Sequence, residues 1–235
     1  VLWCEGPRWS NLYLGHELYN MGHFYEAAAA HYLATGKTTM LDIAIKNADL
    51  LVSVFGPGKN MGVPGHQVIE IGLAKLFRIT GNRKYLDLAK FFLDERGNPS
   101  HRKLFDEYSQ DHVPVLEQKE AVGHAVRAAY MYAGMADIAA LSGDKSYFAA
   151  ITRLWENVVF KKLYLTGGIG SNGRHEGFGP DYDLPNASAY AETCAAIANV
   201  FWNHRMFLML GDGKYMDVLE RTLYNGALSG ISLSG

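Results

Sequence analysis

Two carboxylates and a thiol lie within 19 positions of one another: Glu176, Glu192 and Cys194. A glutamate of this kind can serve as a general acid, a second as a metal ligand, and a thiolate as another ligand. Glu192 and Cys194 are two residues apart, about 200° around a regular helix, so from mid-helix they cannot face one ion. At a helix N-terminus, where the backbone is not yet regular, they could. The plainer account is a helix-dipole glutamate followed by a buried cysteine. Glu176 itself sits in a loop with six glycines between Gly167 and Gly179. A glycine-rich loop suggests phosphate, but no Gly-x-Gly-x-x-Gly follows a strand pattern and no Walker lysine is present. Such a loop either lets the backbone approach a ligand or is mobile.

The histidines form a second set. His16 and His23 are seven residues apart, two helical turns, and so share a face. His66 follows Pro64-Gly65 at an expected helix start, and His124 lies in Ala121-Val122-Gly123-His124-Ala125. Each alone reads more readily as a hydrogen-bonded structural histidine. His16-Glu17-Leu18-Tyr19-Asn20 fails the His-Glu-x-x-His zinc motif at its fifth residue, which disfavours a metalloprotease. Tyr13, Tyr19, Tyr25 and Tyr182 could stack on a sugar, or could be packing residues.

The elements that must hold these groups are helices. Gly36, Gly81, Gly143 and Gly211 are each followed four positions later by a large apolar residue: Met40, Tyr85, Tyr147 and Tyr215. Apolar residues recur at helical spacing on both sides, over 27–32, 68–79, 121–141 and 195–209 before the glycines. The same spacing runs over 41–54, 86–93, 148–159 and 216–228 after them. A helix ending on a C-cap glycine, a short turn and a second helix fits each case. About eight helices in four hairpins follow, and helical hairpins repeated in this way build a solenoid or a closed α/α toroid. The unequal spacing favours a toroid with long loops at one rim, where sites are built. Two linkers interrupt the rhythm, Arg96 to Val115 and Leu163 to Pro185.

Composition excludes several classes. The 235 residues are 49% hydrophobic and 20% charged, which argues against disorder. Twenty-two basic against 24 acidic residues leave no basic excess for nucleic acid. No apolar stretch approaches the ~18 residues of a membrane span. Two cysteines, Cys4 and Cys194, cannot build a disulfide scaffold, so a reducing, cytoplasmic setting is expected. The chain opens Val1-Leu2-Trp3 without a methionine and stops at Ile231-Ser232-Leu233-Ser234-Gly235. It is therefore expected to be a piece of one domain, 1–235, truncated at both ends.

Several segments together carry a resemblance. They are His16 to His23 followed by Glu26-Ala27-Ala28, Pro64-Gly65-His66, Gln110-Asp111-His112-x-Pro114-Val115 and Glu120 to Ala128. The most telling are Thr166-Gly167-Gly168-Ile169-Gly170, Glu176-Gly177-Phe178-Gly179, and Leu184-Pro185-Asn186 leading to Ala189-Tyr190-Ala191-Glu192-Thr193-Cys194. From about Asn11 to Gly235 the chain resembles the β-L-arabinofuranosidases of glycoside hydrolase family 127. The resemblance implies a mainly α fold: an incomplete (α/α)6 barrel whose downstream β-sandwich domains are not in this chain. It implies retaining hydrolysis of terminal β-L-arabinofuranosides, with a zinc-bound cysteine as nucleophile.

The resemblance further matches Glu176 to the general acid/base and Glu192 and Cys194 to two zinc ligands. His66 and His124 match sugar-contacting histidines, as does one of His16 and His23, with His23 preferred. The family's nucleophile and remaining zinc ligand are an adjacent cysteine pair, and these 235 residues contain no Cys-Cys. With two of the four ligands of a tetrahedral site, the chain alone is expected to bind zinc poorly and not to catalyse. Zinc would keep a cysteine as thiolate, the nucleophilic form. Glu176 would need a raised pKa, supplied by a closed, poorly solvated loop. Two other readings stay open. One is a metal-free α/α-toroid sugar epimerase or unsaturated-uronide hydrolase, and the other a non-catalytic carbohydrate-binding scaffold.

Overall fold

The computed structural model describes residues 6–234, so Cys4 lies outside the described residues. The chain divides into two compact units, Val1–Phe105 and Asp106–Gly235. The first holds α1 (Glu17–Thr35), α2 (Thr39–Val54), α3 (Ile69–Thr80) and α4 (Arg83–Glu95). The second holds α5 (Ala125–Ser142), α6 (Lys145–Asn157), α7 (Thr193–Leu210) and α8 (Gly213–Thr222). Isolated bridges are the only β pairing among the described residues. The mainly helical fold class of a partial helical barrel is met, with four hairpins as the spacing predicts.

The hairpin turns form for local reasons. Gly36, Gly81, Gly143 and Gly211 take φ of 69°, 68°, 71° and 69°, the left-handed conformation in which glycine has no Cβ penalty. Each donates its N–H to the carbonyl four residues back, closing the helix. In three turns the next residue starts the following helix. Asn82, Asp144 and Asp212 accept from the N–H groups of Lys84, Ser146 and Lys214, satisfying a donor that a helix start leaves orphaned. Three of the expected apolar residues are sealed in: Tyr85, Tyr147 and Tyr215 are buried, whereas Met40 is half-buried and its neighbour Leu41 fills the place.

In the first unit α1 packs on α2 and α3, and α3 on α4. Gly22 and Gly72 explain how close α1 and α3 come. A Cβ on Gly22 would stand 2.6 Å from the Ile69 nitrogen, and one on Gly72 2.7 Å from the Gly22 carbonyl oxygen. Glu70 and Arg96 are both fully buried below this contact. Their charges lie 4.0 Å apart, and Arg96 also donates to the Pro64 carbonyl at 2.6 Å. Burial raises the Glu70 pKa and Arg96 opposes that. In the second unit α5 packs on α6 and α7, and α7 on α8. From Ala125 to Ala139 every residue of α5 is buried, while α6 and α8 bury one stripe each. Burial of Met131, Met135 and Ile138 stabilises this core by about 1.5–3 kcal/mol each.

The structure shifts two boundaries. The helical spacing over 121–141 predicts a helix from Ala121, but α5 begins at Ala125, because Gly123 is left-handed (φ 68°) and His124 is the N-cap. The stretch after Gly211 is regular helix only to Thr222; a π-turn covers Leu223–Ala227 and a 3-10 turn Leu228–Gly230.

Candidate active site

Glu176 owes its place to a lattice of backbone hydrogen bonds. Its carbonyl accepts from the Ala125 N–H at 3.0 Å, and Phe178 donates to the Gly123 carbonyl at 2.9 Å. Asn172 and Gly177 exchange both bonds, at 2.9 and 3.0 Å. These hold Glu176 in the left-handed region (φ 52°), where a non-glycine residue is strained. Two glycines make the crossing possible. A Cβ on Gly177 would stand 2.3 Å from the Gly123 carbonyl oxygen, and one on Gly123 1.9 Å from that of Glu107. The glycine-rich loop thus lets its backbone approach other backbone of its own chain.

His124 stands against the Glu176 carboxylate. As N-cap of α5, its Nδ1 accepts the Arg127 backbone N–H at 3.3 Å. An acceptor Nδ1 leaves the proton on Nε2, which donates to Glu176 Oε2 at 2.9 Å. The ring is pinned further by its own backbone, whose N–H donates to the Tyr108 carbonyl at 3.0 Å and whose carbonyl accepts from Gln110 at 3.1 Å. Tyr108 meets the imidazole edge-on at 5.2 Å, and the Arg127 guanidinium lies 4.6 Å over Tyr108. Burial lowers the His124 pKa and Arg127 adds to this, against the pull of Glu176 and Glu192. His124 is therefore a neutral donor near pH 7. The Glu176 side chain is 45% exposed, so the closed, poorly solvated setting expected of it is not what the structure shows.

Glu192 and Cys194 meet at a helix start, the arrangement in which their spacing permits convergence. Glu192 is the N-cap of α7 and Cys194 lies in its first turn. The neighbouring Glu192 carboxylate, with burial adding, pushes the thiol up to about 11. Cys194 is exposed, which corrects the plainer account of a buried cysteine. One ligand atom each of His124, Glu176 and Glu192 lies within 4.8 Å of the others. The donor types suit zinc: an imidazole nitrogen and carboxylate oxygens, with the Cys194 sulfur on the same helix start as Glu192, where an ion would displace the thiol proton.

In the first unit the other histidines gather around Tyr19. His16 is the N-cap of α1 in the left-handed conformation, and its Nδ1–H donates to the Leu14 carbonyl. His66 donates from Nδ1 to the Gln67 carbonyl at 2.9 Å. In each, Nδ1 is committed to a backbone carbonyl. The Tyr19 ring lies 5.6, 4.6 and 4.3 Å from those of His16, His23 and His66, and His16 and His66 are 5.6 Å apart. Burial lowers the His23 pKa. Of the other singled-out tyrosines, Tyr25 is a core residue bonded to Asn47, and Tyr13 packs on Phe105 at 4.9 Å. Tyr182 is 70% exposed.

Sequence reasoning did not single out Tyr108 or Arg127 as site residues. Arg127 stood inside a quoted motif three residues after His124, but nothing in its type marked it. Tyr108 carried no signal, because only folding brings it to His124.

Comparisons with known proteins bear on the family and the fold. The family model of the β-L-arabinofuranosidase, GH127 catalytic domain matches residues 3–235. A non-reducing end β-L-arabinofuranosidase of Bifidobacterium longum subsp. longum is 41% identical over 254 residues, covering 100% of this chain and 39% of its own length. A solved GH127 β-L-arabinofuranosidase from Geobacillus stearothermophilus T6 is 50% identical with a TM-score of 0.94, over 98% of this chain and 39% of that one. Another solved GH127 β-arabinofuranosidase is 59% identical with a TM-score of 0.92, over 99% of this chain and 37% of that one. The chain thus spans less than half the length of these relatives.

Proposed function

This chain belongs to the GH127 β-L-arabinofuranosidase catalytic-domain family, and from that premise we propose that it is part of a retaining glycosidase acting on terminal β-L-arabinofuranosides. The 235 residues form part of one catalytic domain, in a protein of reducing, cytoplasmic surroundings. Among the described residues no helix is long and apolar enough to cross a membrane.

Glu176 is the general acid/base. One observation carries this: its carboxylate is exposed enough to meet a substrate, yet is fixed by a buried, tautomer-defined donor, His124 Nε2, at 2.9 Å. A carboxyl group so placed can protonate a departing glycosidic oxygen and later take a proton from water. Histidine ring nitrogens can hydrogen-bond the hydroxyls of a sugar. His124, His66 and one of His16 and His23 fill this role. Since Tyr19 brings both His16 and His23 near His66, the earlier preference for His23 gains no support from geometry.

Glu192 and Cys194 would hold zinc together with ligands outside these residues, a downstream cysteine pair that includes the nucleophile. Bound there, zinc supplies thiolates at neutral pH. The test uses the protein at its full natural length. Cys194→Ser is expected to lose bound zinc and hydrolysis of β-L-arabinofuranosides together. A Cys194→Ser protein with full zinc and full activity overturns the metal assignment.

A second reading has an observation in its favour: His124, Glu176 and Glu192 alone are near enough to share an ion. That reading makes His124→Ala the variant that empties the site and leaves zinc intact in Cys194→Ser.

A further inference from the structure

Residues 63–68, which lead into α3, are all buried yet form neither helix nor strand. A buried irregular segment must find partners for its backbone polar groups away from water. Two buried side chains supply them, one on each side of His66. Arg96 Nη2 donates to the Pro64 carbonyl at 2.6 Å, and Glu70 Oε2 accepts the Val68 N–H at 3.1 Å. The heads of these two side chains lie 4.0 Å apart.

Each bond holds a whole planar peptide, because the carbonyl and the N–H across one amide move together. In the 64–65 peptide the Gly65 N–H donates to the Leu12 carbonyl at 2.8 Å, so that unit is held at both ends. The 67–68 peptide carries the argument further. Its N–H goes to Glu70, and its other end, the Gln67 carbonyl, accepts from His66 Nδ1 at 2.9 Å. Glu70 therefore reaches the imidazole through one rigid amide. Such a relay sets which ring nitrogen carries the proton and how the ring is turned. His66 borders a small recess with His16, Tyr19 and Gly65. We propose that Glu70 is a positioning residue for His66, fixing the ring and its Nδ1 proton through the 67–68 peptide while Arg96 holds the other flank at Pro64. This rests on the reading of His66 as a sugar contact and adds the buried group that aims it.

Glu70→Gln and Glu70→Leu both remove the charge beside Arg96, but only glutamine can still accept the Val68 N–H. Steady-state kinetics on one β-L-arabinofuranoside, with the protein at its full natural length, compare them with His66→Ala and with Glu70→Leu/His66→Ala. Glu70→Leu is expected to raise KM about tenfold at nearly constant kcat, the worth of one hydrogen bond to a sugar hydroxyl. Glu70→Gln should stay within about twofold of the parent. Adding Glu70→Leu to His66→Ala should change KM no further, since both act on one contact. If Glu70→Leu does not fold, the same comparison is made in an Arg96→Met background, where neither variant leaves a buried charge unpaired. Equal KM shifts in Glu70→Gln and Glu70→Leu, or additive losses in the double variant, overturn the proposal. If His66→Ala raises KM and Glu70→Leu leaves it at the parent value, only the positioning role falls. If His66→Ala leaves KM unchanged, the sugar-contact reading fails and the role of Glu70 goes with it.

Discussion

The two units each gather histidines, and they do so with different chemistry. Around Tyr19 in the first unit, His16, His23 and His66 touch ring to ring, and two of them spend a proton on the backbone immediately beside them. Around Glu176 in the second unit, His124 gives its proton to a carboxylate, with a further carboxylate and a thiol close by. A ring cluster offers shape and hydrogen bonds; a carboxylate cluster can move protons and hold a cation. The difference is one of partner, since imidazole serves in both. A histidine's role is therefore read from what its second nitrogen faces.

The largest test of that contrast is catalytic. In the protein at full natural length, Glu176→Ala is expected to lower kcat by about 10²–10⁴-fold. His66→Ala should act mainly through KM. Steady-state kinetics on one arabinofuranoside decide it, and a His66→Ala protein with intact KM and a kcat as low as that of Glu176→Ala would abolish the distinction. Next comes the backbone crossing. Gly177→Ala forces a Cβ onto the Gly123 carbonyl, and a loss of about 3 kcal/mol is expected in denaturant titration. Tyr19→Leu probes the ring cluster. Three edge contacts at ~0.5–1.5 kcal/mol each, partly replaced by leucine packing, give an expected loss of about 1–2 kcal/mol. An unchanged unfolding midpoint would mean that the rings are merely adjacent.

Smaller effects separate local from tertiary contributions. Asp144→Ala and Asn82→Ala each remove a side-chain cap, one in each unit, and should each cost about 1 kcal/mol by thermal unfolding. The smallest expected effect is with pH. Burial lowers the His23 pKa from 6.5, so on acidification the unfolded chain takes up the proton first. This contribution to stability is fully present above about pH 6.5 and is lost as the pH falls towards the folded value. His23→Gln should flatten that part of the stability profile; an unaltered profile would exclude His23 as its source.

The hairpins were legible because their determinants are local. A glycine that can adopt φ near 70°, an Asn or Asp that caps the next helix and an apolar residue four positions on act within one turn of chain. The convergence of Glu192 and Cys194 was legible only as a condition, that they begin a helix, and α7 starts there. The start of α5 was misplaced because the apolar spacing runs back through Val122 and Ala121, while tertiary contact with Glu107 and Gly177 decides that Gly123 turns left-handed.

By itself the sequence determined the mainly helical make-up, the four turns, the family and the residue types of the site, since periodicity, glycine and motif identity are written residue by residue. Tertiary structure alone decided that the glycine loop crosses backbone against Gly123. It also decided that His124 caps α5 and must therefore donate to Glu176, that Cys194 is exposed, and that Tyr108 joins the site. Those facts depend on which segments approach within hydrogen-bonding distance, and no local pattern encodes the distance between groups separated by tens of residues.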